Sequence, residues 1–193
     1  MSGFCGYKNF NKKINNNLVI TEMLNALKKK VPAKQDITIE NDSAIGFSSP
    51  NILDKKLENT VTKKQINDNT YYIVYTGKIY NINILRDTLI TKGYKFENKS
   101  ESLVLITAFA EYGTKMLNYL NGIFSFCIYN SNDNSFFLAR DRLGIKLLYY
   151  FYDVSSSLFA FSTEIKGLLN HNDITAIMDK EGLMELIGLR SCS

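Results

Sequence analysis

Residues able to do chemistry are few and widely spaced in this chain. The cysteines, Cys5, Cys127 and Cys192, are odd in number, and His171 is the only histidine. Zinc centres need several Cys or His ligands, often in pairs a few positions apart, and none of these residues stands at such a spacing. Chemistry that needs more than one histidine is excluded. No Gly-x-x-x-x-Gly-Lys-Ser/Thr loop occurs, so no phosphate cradle is expected in these residues. Lysines cluster only in short runs, Lys28-Lys29-Lys30, Lys55-Lys56 and Lys63-Lys64, under a net charge of +4. A nucleic-acid face would be denser and interleaved with aromatics, so solvated lysines are the expected reading and no nucleic-acid partner. Glu101 follows Ser100 at a helix start, where a carboxylate is favoured by the helix dipole whatever else it does.

The elements that must position these groups are legible in the periodicity. Ser2 to Phe10 reads as a strand and turn. Leu18 to Lys30 carries Val19, Met23, Leu24 and Leu27 near helical spacing. Short β-prone pieces follow, Ile37-Thr38-Ile39 and Ala44-Ile45-Gly46-Phe47, punctuated by Pro32 and Pro50. Thr70 to Thr76 is a buried strand, with Gly77 expected to end it. Asn81 to Lys92 is helical, with Gly93 as its C-terminal stop. Ser100 can cap a helix that runs to Tyr112, and Gly113 separates a shorter one ending near Leu120. Phe124–Tyr129, Ser135–Ala139, Leu147–Tyr152 and Leu158–Ser162 are expected as four strands joined by short turns. Glu164–Leu169 and Lys180–Leu189 look helical.

Strands thus open the chain, helices fill its middle, hairpins follow and helices close it. That order points to an α+β fold with two mainly antiparallel sheets packed face to face between helices. At 193 residues, 45% hydrophobic, one domain with a sizeable core is expected. No apolar run approaches the ~20 residues of a membrane span, and no signal-peptide core opens the sequence. A soluble cytoplasmic protein without a membrane partner is the expectation.

Several local sequences point to one family. Met1-Ser2-Gly3-Phe4-Cys5-Gly6 resembles the Met-Cys-Gly start of class II glutamine amidotransferases. Thr76-Gly77-Lys78-Ile79-Tyr80-Asn81 is similar to their Asn-Gly-Glu-Ile-Tyr-Asn, and Leu120-Asn121-Gly122-Ile123-Phe124-Ser125-Phe126 to their Leu-Asn-Gly-Met-Phe-Ala-Phe. Leu138 to Lys146 (Leu-Ala-Arg-Asp-Arg-Leu-Gly-Ile-Lys), then Tyr149-Tyr150 and Ser162-Thr163-Glu164-Ile165-Lys166, resemble asparagine-synthetase members in particular. The resemblance implies the glutamine-hydrolysing domain of an asparagine synthetase. Its fold is that of the N-terminal-nucleophile hydrolases, a four-layer αββα sandwich. A single such domain is expected over residues 1–193, the final ~15 residues leading towards a synthetase domain absent from this sequence.

In the family, Met1 is removed and the thiol of residue 2 attacks the glutamine side-chain amide, with its own α-amine as base. An α-amine of pKa about 8 suits that work. Here the nucleophile position holds Ser2. Whether Ser2 is the natural residue or stands in for a cysteine, a hydroxyl is a far weaker acid than a thiol of pKa about 8.5. A rival register would make Cys5 the nucleophile, but ordinary Met removal does not expose it. The oxyanion-hole positions are Thr76, in place of an Asn amide, and Gly77, which is kept. Losing one such donor costs about 2.7–4 kcal/mol in the transition state. The substrate-binding positions are Ser49 where an Arg holds the carboxylate, Lys78 in place of a Glu, and Glu101 in place of an Asp that holds the ammonium. A serine hydroxyl cannot supply the Arg fork. The family segment His-Arg-Gly-Pro-Asp is reduced to Lys29-Lys30-Val31-Pro32-Ala33.

Three readings follow. The first is an asparagine-synthetase-like glutaminase domain with weak or lost glutamine hydrolysis. The second is an active N-terminal-Ser amidohydrolase on glutamine or another small amide. The third is a non-catalytic binding or regulatory module. The resemblance implies no metal or other cofactor in this domain; ATP and Mg belong to the synthetase domain, acting in cis or in trans. That domain's Ser-Gly-Gly-x-Asp-Ser loop does not occur in these residues, so asparagine synthesis by this chain alone is not expected. A homodimer is compatible with the family.

Overall fold

The computed structural model describes residues 2–10, 16–27, 33–50 and 60–189. Nine strands among the described residues form two sheets. The first contains β1 (Gly3–Asn9), β2 (Ala33–Glu40), β3 (Ser43–Pro50), β8 (Tyr149–Asp153) and β9 (Leu158–Ser162), in the order β2-β3-β1-β9-β8. The second contains β4 (Thr62–Ile66), β5 (Asn69–Ile79), β6 (Gly122–Asn130) and β7 (Ser135–Arg140), in chain order. All these pairings are antiparallel. Helices α1 (Asn16–Leu27) and α4 (Ile165–Leu169) lie against the first sheet, while α2 (Ile82–Thr91) and α3 (Glu101–Tyr112) belong with the second. A 3-10 segment, Gly113–Tyr119, follows α3, and α5 (Lys180–Leu189) ends the described chain.

The pleat sorts side chains into three apolar layers. Phe4, Ile45, Phe47, Tyr72, Val74, Cys127, Tyr129 and Phe161 meet between the sheets. Cys5, Tyr7 and Ala44 turn the other way and pack against Val19, Ile20, Met23, Leu24 and Leu27 of α1. Ile73, Tyr75, Phe126 and Ile128 face Leu85, Leu89, Val104, Leu105 and Ala108 of α2 and α3. The result is an αββα sandwich. Because both faces of each sheet are covered, its central strands read as near-continuous apolar runs such as Tyr71 to Tyr75. Aromatic rings fill the gap between the sheets: Phe161 meets Phe4 at 6.2 Å and Phe136 at 5.7 Å, and Tyr129 meets Phe136 at 4.7 Å. Each such pair contributes roughly 0.5–1.5 kcal/mol beyond its buried area.

A polar clamp joins the sheets at one end. Asn134, in the β6–β7 turn, accepts from the Tyr129 hydroxyl at 2.7 Å and from Ser43 Oγ at 3.2 Å. Its amide donates to Asp42 Oδ1 at 2.9 Å, and its carbonyl accepts from Lys8 Nζ at 2.9 Å. The turn between β2 and β3 is thereby tied to the turn between β6 and β7. It follows that the start of β1, the end of β3, the end of β5 and the start of β6 share the opposite end of the sandwich.

Three local expectations change. Gly77 does not end β5, which runs on to Ile79. Gly77 adopts φ +130°, where an added Cβ would overlap the Ile123 carbonyl oxygen and lie 2.7 Å from Phe124 Cα. The glycine permits close approach of β6 rather than a stop. Ser100 holds the N-cap position of α3 without a side-chain capping bond. The four late strands do not form one meander: after β7 the chain crosses to the first sheet for β8 and β9.

Candidate functional site

The end opposite the clamp gathers the positions singled out by sequence. Gly3 pairs with Ser48, so Ser2 stands just outside the last β1–β3 pair and Ser49 one step further along β3. Ser2 has the parity of Phe4, and Ser49 that of Phe47, which places both on the faces that look into the gap between sheets. Thr76 shares the parity of Tyr72 and Val74 on the facing sheet. Ser2 and Thr76 are half-buried, Ser49 is buried, and Gly77 and Lys78 are exposed.

The start of β1 is pinned by Thr163. Its Oγ1 accepts from the Phe4 N–H at 3.2 Å, and its own N–H donates to the Phe4 carbonyl at 3.0 Å. Sequence reasoning passed over Thr163 except as part of a matching motif. Opposite Thr76 in the β5–β6 register lies Ser125, fully buried, its hydroxyl without a hydrogen-bond partner. Both Thr163 and Ser125 could have been noticed as polar residues inside apolar strand patterns.

Glu101 opens α3 and is buried, only 5% exposed. Its Oε2 accepts from the Tyr75 hydroxyl at 2.7 Å and from the Ile79 N–H at 3.4 Å. Its Oε1 accepts a charge-assisted bond from Lys78 Nζ. Lys78 and Glu101 are therefore brought together, as each other's ion-pair partner. Tyr75 is a further group that sequence reasoning missed; its odd parity on β5 turns it toward the helix layer where α3 begins.

The thiols lie elsewhere. Cys5 is fully buried on the α1 side of its sheet, and Cys127 is fully buried between the sheets. Burial pushes both thiols up, so neither supplies thiolate near neutral pH. Cys5 also points away from the gap that Ser2 faces. Cys192 and the Lys29–Pro32 stretch lie outside the described residues. Among the described residues, no group of three or more His, Cys, Asp or Glu side chains could hold a metal. No helix among them is long and apolar enough to cross a membrane.

A cavity of about 620 Å³ opens beside the start of β6, lined by Tyr80, Ile123, Phe124, Arg140, Arg142 and Leu143 among others. Its floor is shaped by Asp141, whose carboxylate accepts from the Ile145 N–H at 3.0 Å and the Lys146 N–H at 2.9 Å. Burial raises the Asp141 carboxyl, but backbone donors from Lys146, Ile145, Phe124 and Leu143 outweigh it and hold the group below its ordinary value. None of Ser2, Ser49, Thr76, Gly77, Lys78 and Glu101 lines this cavity.

The family profile described as a glutamine amidotransferase domain matches residues 1–192. The chain is 33% identical over 190 residues to glutamine-hydrolysing asparagine synthetase 3 of Bacillus subtilis, covering 98% of this chain and 31% of that protein. It is 34% identical over 151 residues to asparagine synthetase 1 of the same organism, covering 78% and 23%. It therefore spans less than a third of the length of these relatives. Among solved structures, the glutamine phosphoribosylpyrophosphate amidotransferase of B. subtilis, complexed with ADP and GMP, superposes with a TM-score of 0.67. Identity there is 14%, over 86% of this chain and 42% of that one, so the likeness speaks to the fold alone. The chain belongs to the glutamine amidotransferase domain family and is similar to part of the glutamine-hydrolysing asparagine synthetases.

Proposed function

We propose that this chain is the glutamine amidotransferase domain of an asparagine-synthetase-like protein in which glutamine hydrolysis is weak or lost. The observation that carries the proposal is the identity of the nucleophile position. Ser2 offers a hydroxyl at the head of β1, and the nearest thiol in sequence, Cys5, is buried on the other face of the sheet. The positions proposed are Ser2 at the nucleophile position, Thr76 and Gly77 at the oxyanion-hole positions, and Ser49, Lys78 and Glu101 at the substrate-binding positions. With Thr76 in place of an amide and Ser49 in place of a guanidinium, the transition state and the α-carboxylate each lack a strong donor. The domain is proposed as residues 1–193, acting without its own metal or other cofactor. ATP and Mg would be used by a synthetase domain in cis or in trans.

Ammonia release from glutamine tests this directly. The unmodified protein and Ser2→Ala are expected to release ammonia at the same rate. A fall of about tenfold or more in Ser2→Ala would overturn the proposal and make Ser2 a working nucleophile. Intact mass, read on the same sample, reports whether Met1 has been removed and the α-amine freed.

A further inference from the structure

Glu101 is an unusual residue for a helix start, a carboxylate that is buried. Two of its three donors are framework: the Tyr75 hydroxyl comes from a buried ring, and the Ile79 N–H from a fully buried residue of β5. The third is a lysine whose side chain is 65% exposed while the carboxylate side chain is 6% exposed. Lys78 thus reaches in from solvent and sets only its terminal ammonium on a recessed anion. A buried carboxylate with neutral donors alone is strongly disfavoured, so the recess selects a cation. Its stem-outward arrangement is the one a small molecule with a primary ammonium would also adopt.

We propose that Lys78 is a tethered occupant of an ammonium-binding subsite on Glu101, and that this pairing determines specificity by shutting free α-amino acids out. The inference rests on the reading of Glu101 as a substrate-facing residue given under the proposed function. Lys78 lies one residue from Ile79 on the strand that supplies the subsite's amide donor, so its ammonium is held by a short link. A short flexible link sustains effective concentrations in the millimolar range or above. A free amino acid at comparable concentration therefore competes poorly for the same carboxylate. The subsite is specific to the ammonium: glutaramate, which is glutamine without its amino group, has nothing to place there.

Calorimetric titration of glutamine and glutaramate into the full chain tests this, with Ser2→Ala in every protein so that no hydrolysis contributes heat. The Lys78-containing protein is expected to give no glutamine binding up to about 10 mM, and Lys78→Gln to bind glutamine about tenfold or more tightly. Glutaramate should be unaffected, and adding Glu101→Gln to Lys78→Gln should abolish the gain. Glutamine binding no tighter in Lys78→Gln, equal tightening for glutaramate, or a gain that survives Glu101→Gln overturns the proposal. Lys78→Met, which keeps an apolar stem without the charge, serves if Lys78→Gln does not fold. Loss of the fold in both would make Lys78 a strut of the structure and overturn the proposal equally. Binding reports on this inference and ammonia release on the proposed function, so either can fail without the other.

Discussion

Gly77 shows what a single residue can conceal. A glycine after a run of apolar β-formers reads as a stop, because glycine is the commonest local breaker. In the structure it continues the strand, and its φ of +130° and the backbone of Ile123 and Phe124 leave no room for a side chain. Since the obstructing atoms are backbone, they cannot swing aside. Gly77→Ala should therefore destabilise the domain by about 2 kcal/mol or more, read as a lower urea midpoint at unchanged m-value. The same contrast between sequence and structure holds for Lys78 and Glu101. Each reads in the sequence as a charge at a motif position, but their pairing spans 23 residues and two layers. No local pattern encodes such a contact; it exists only once α3 is docked against the end of β5.

At the scale of elements, most strands and helices were legible from period and punctuation. β4 was not: Thr62-Lys63-Lys64-Gln65-Ile66 has one apolar residue, because it is an edge strand, with Lys63 exposed and Lys64 reaching the Thr107 hydroxyl on α3. The turns carry their own chemistry. Asn134 sits at φ +58°, a conformation Asn tolerates better than other non-glycine residues, and its side chain clamps the two sheets. Asn134→Gly keeps the backbone but removes the clamp, and should cost about 1–2 kcal/mol in chemical denaturation. Asn134→Ala should cost about 1 kcal/mol more, because the left-handed backbone is then strained as well. In the β8–β9 turn, donors from Ser156 and Ser155 hold the Asp153 carboxyl down to about 2. A folded-state value below the unfolded one means the aspartate stabilises the fold above an unfolded pKa of about 3.9. That contribution is lost as pH falls from about 4 through about 2. Melting temperature followed over that range should fall less steeply in Asp153→Asn than in the unmodified protein.

For the whole molecule, the sandwich was legible because three sets of apolar residues must be buried and strands outnumber helices. The assignment of strands to sheets was not. Nothing local tells β8 and β9 to leave β7 and flank β1; that choice belongs to the packing of Phe159 and Phe161 against Phe136. Stability is accordingly expected to reside in the gap between the sheets. Phe161→Ala should cost about 3–5 kcal/mol, whereas Ile187→Ala on α5, 70% exposed, should fall within about 0.5 kcal/mol. Amide hydrogen exchange should give the same ranking, with β5 and β6 slowest and α5 fast.

The position of β1 bears on how the protein is made. β1, the earliest of the described strands, becomes the middle of its sheet, with β3 on one side and β9 on the other. Thr163, which pins Phe4, lies 159 positions later. At ordinary synthesis rates that delay is on the order of ten seconds. Until then, the edge of β1 that β9 will cover has no partner. The middle of the first sheet is thus completed only once β9 has been made.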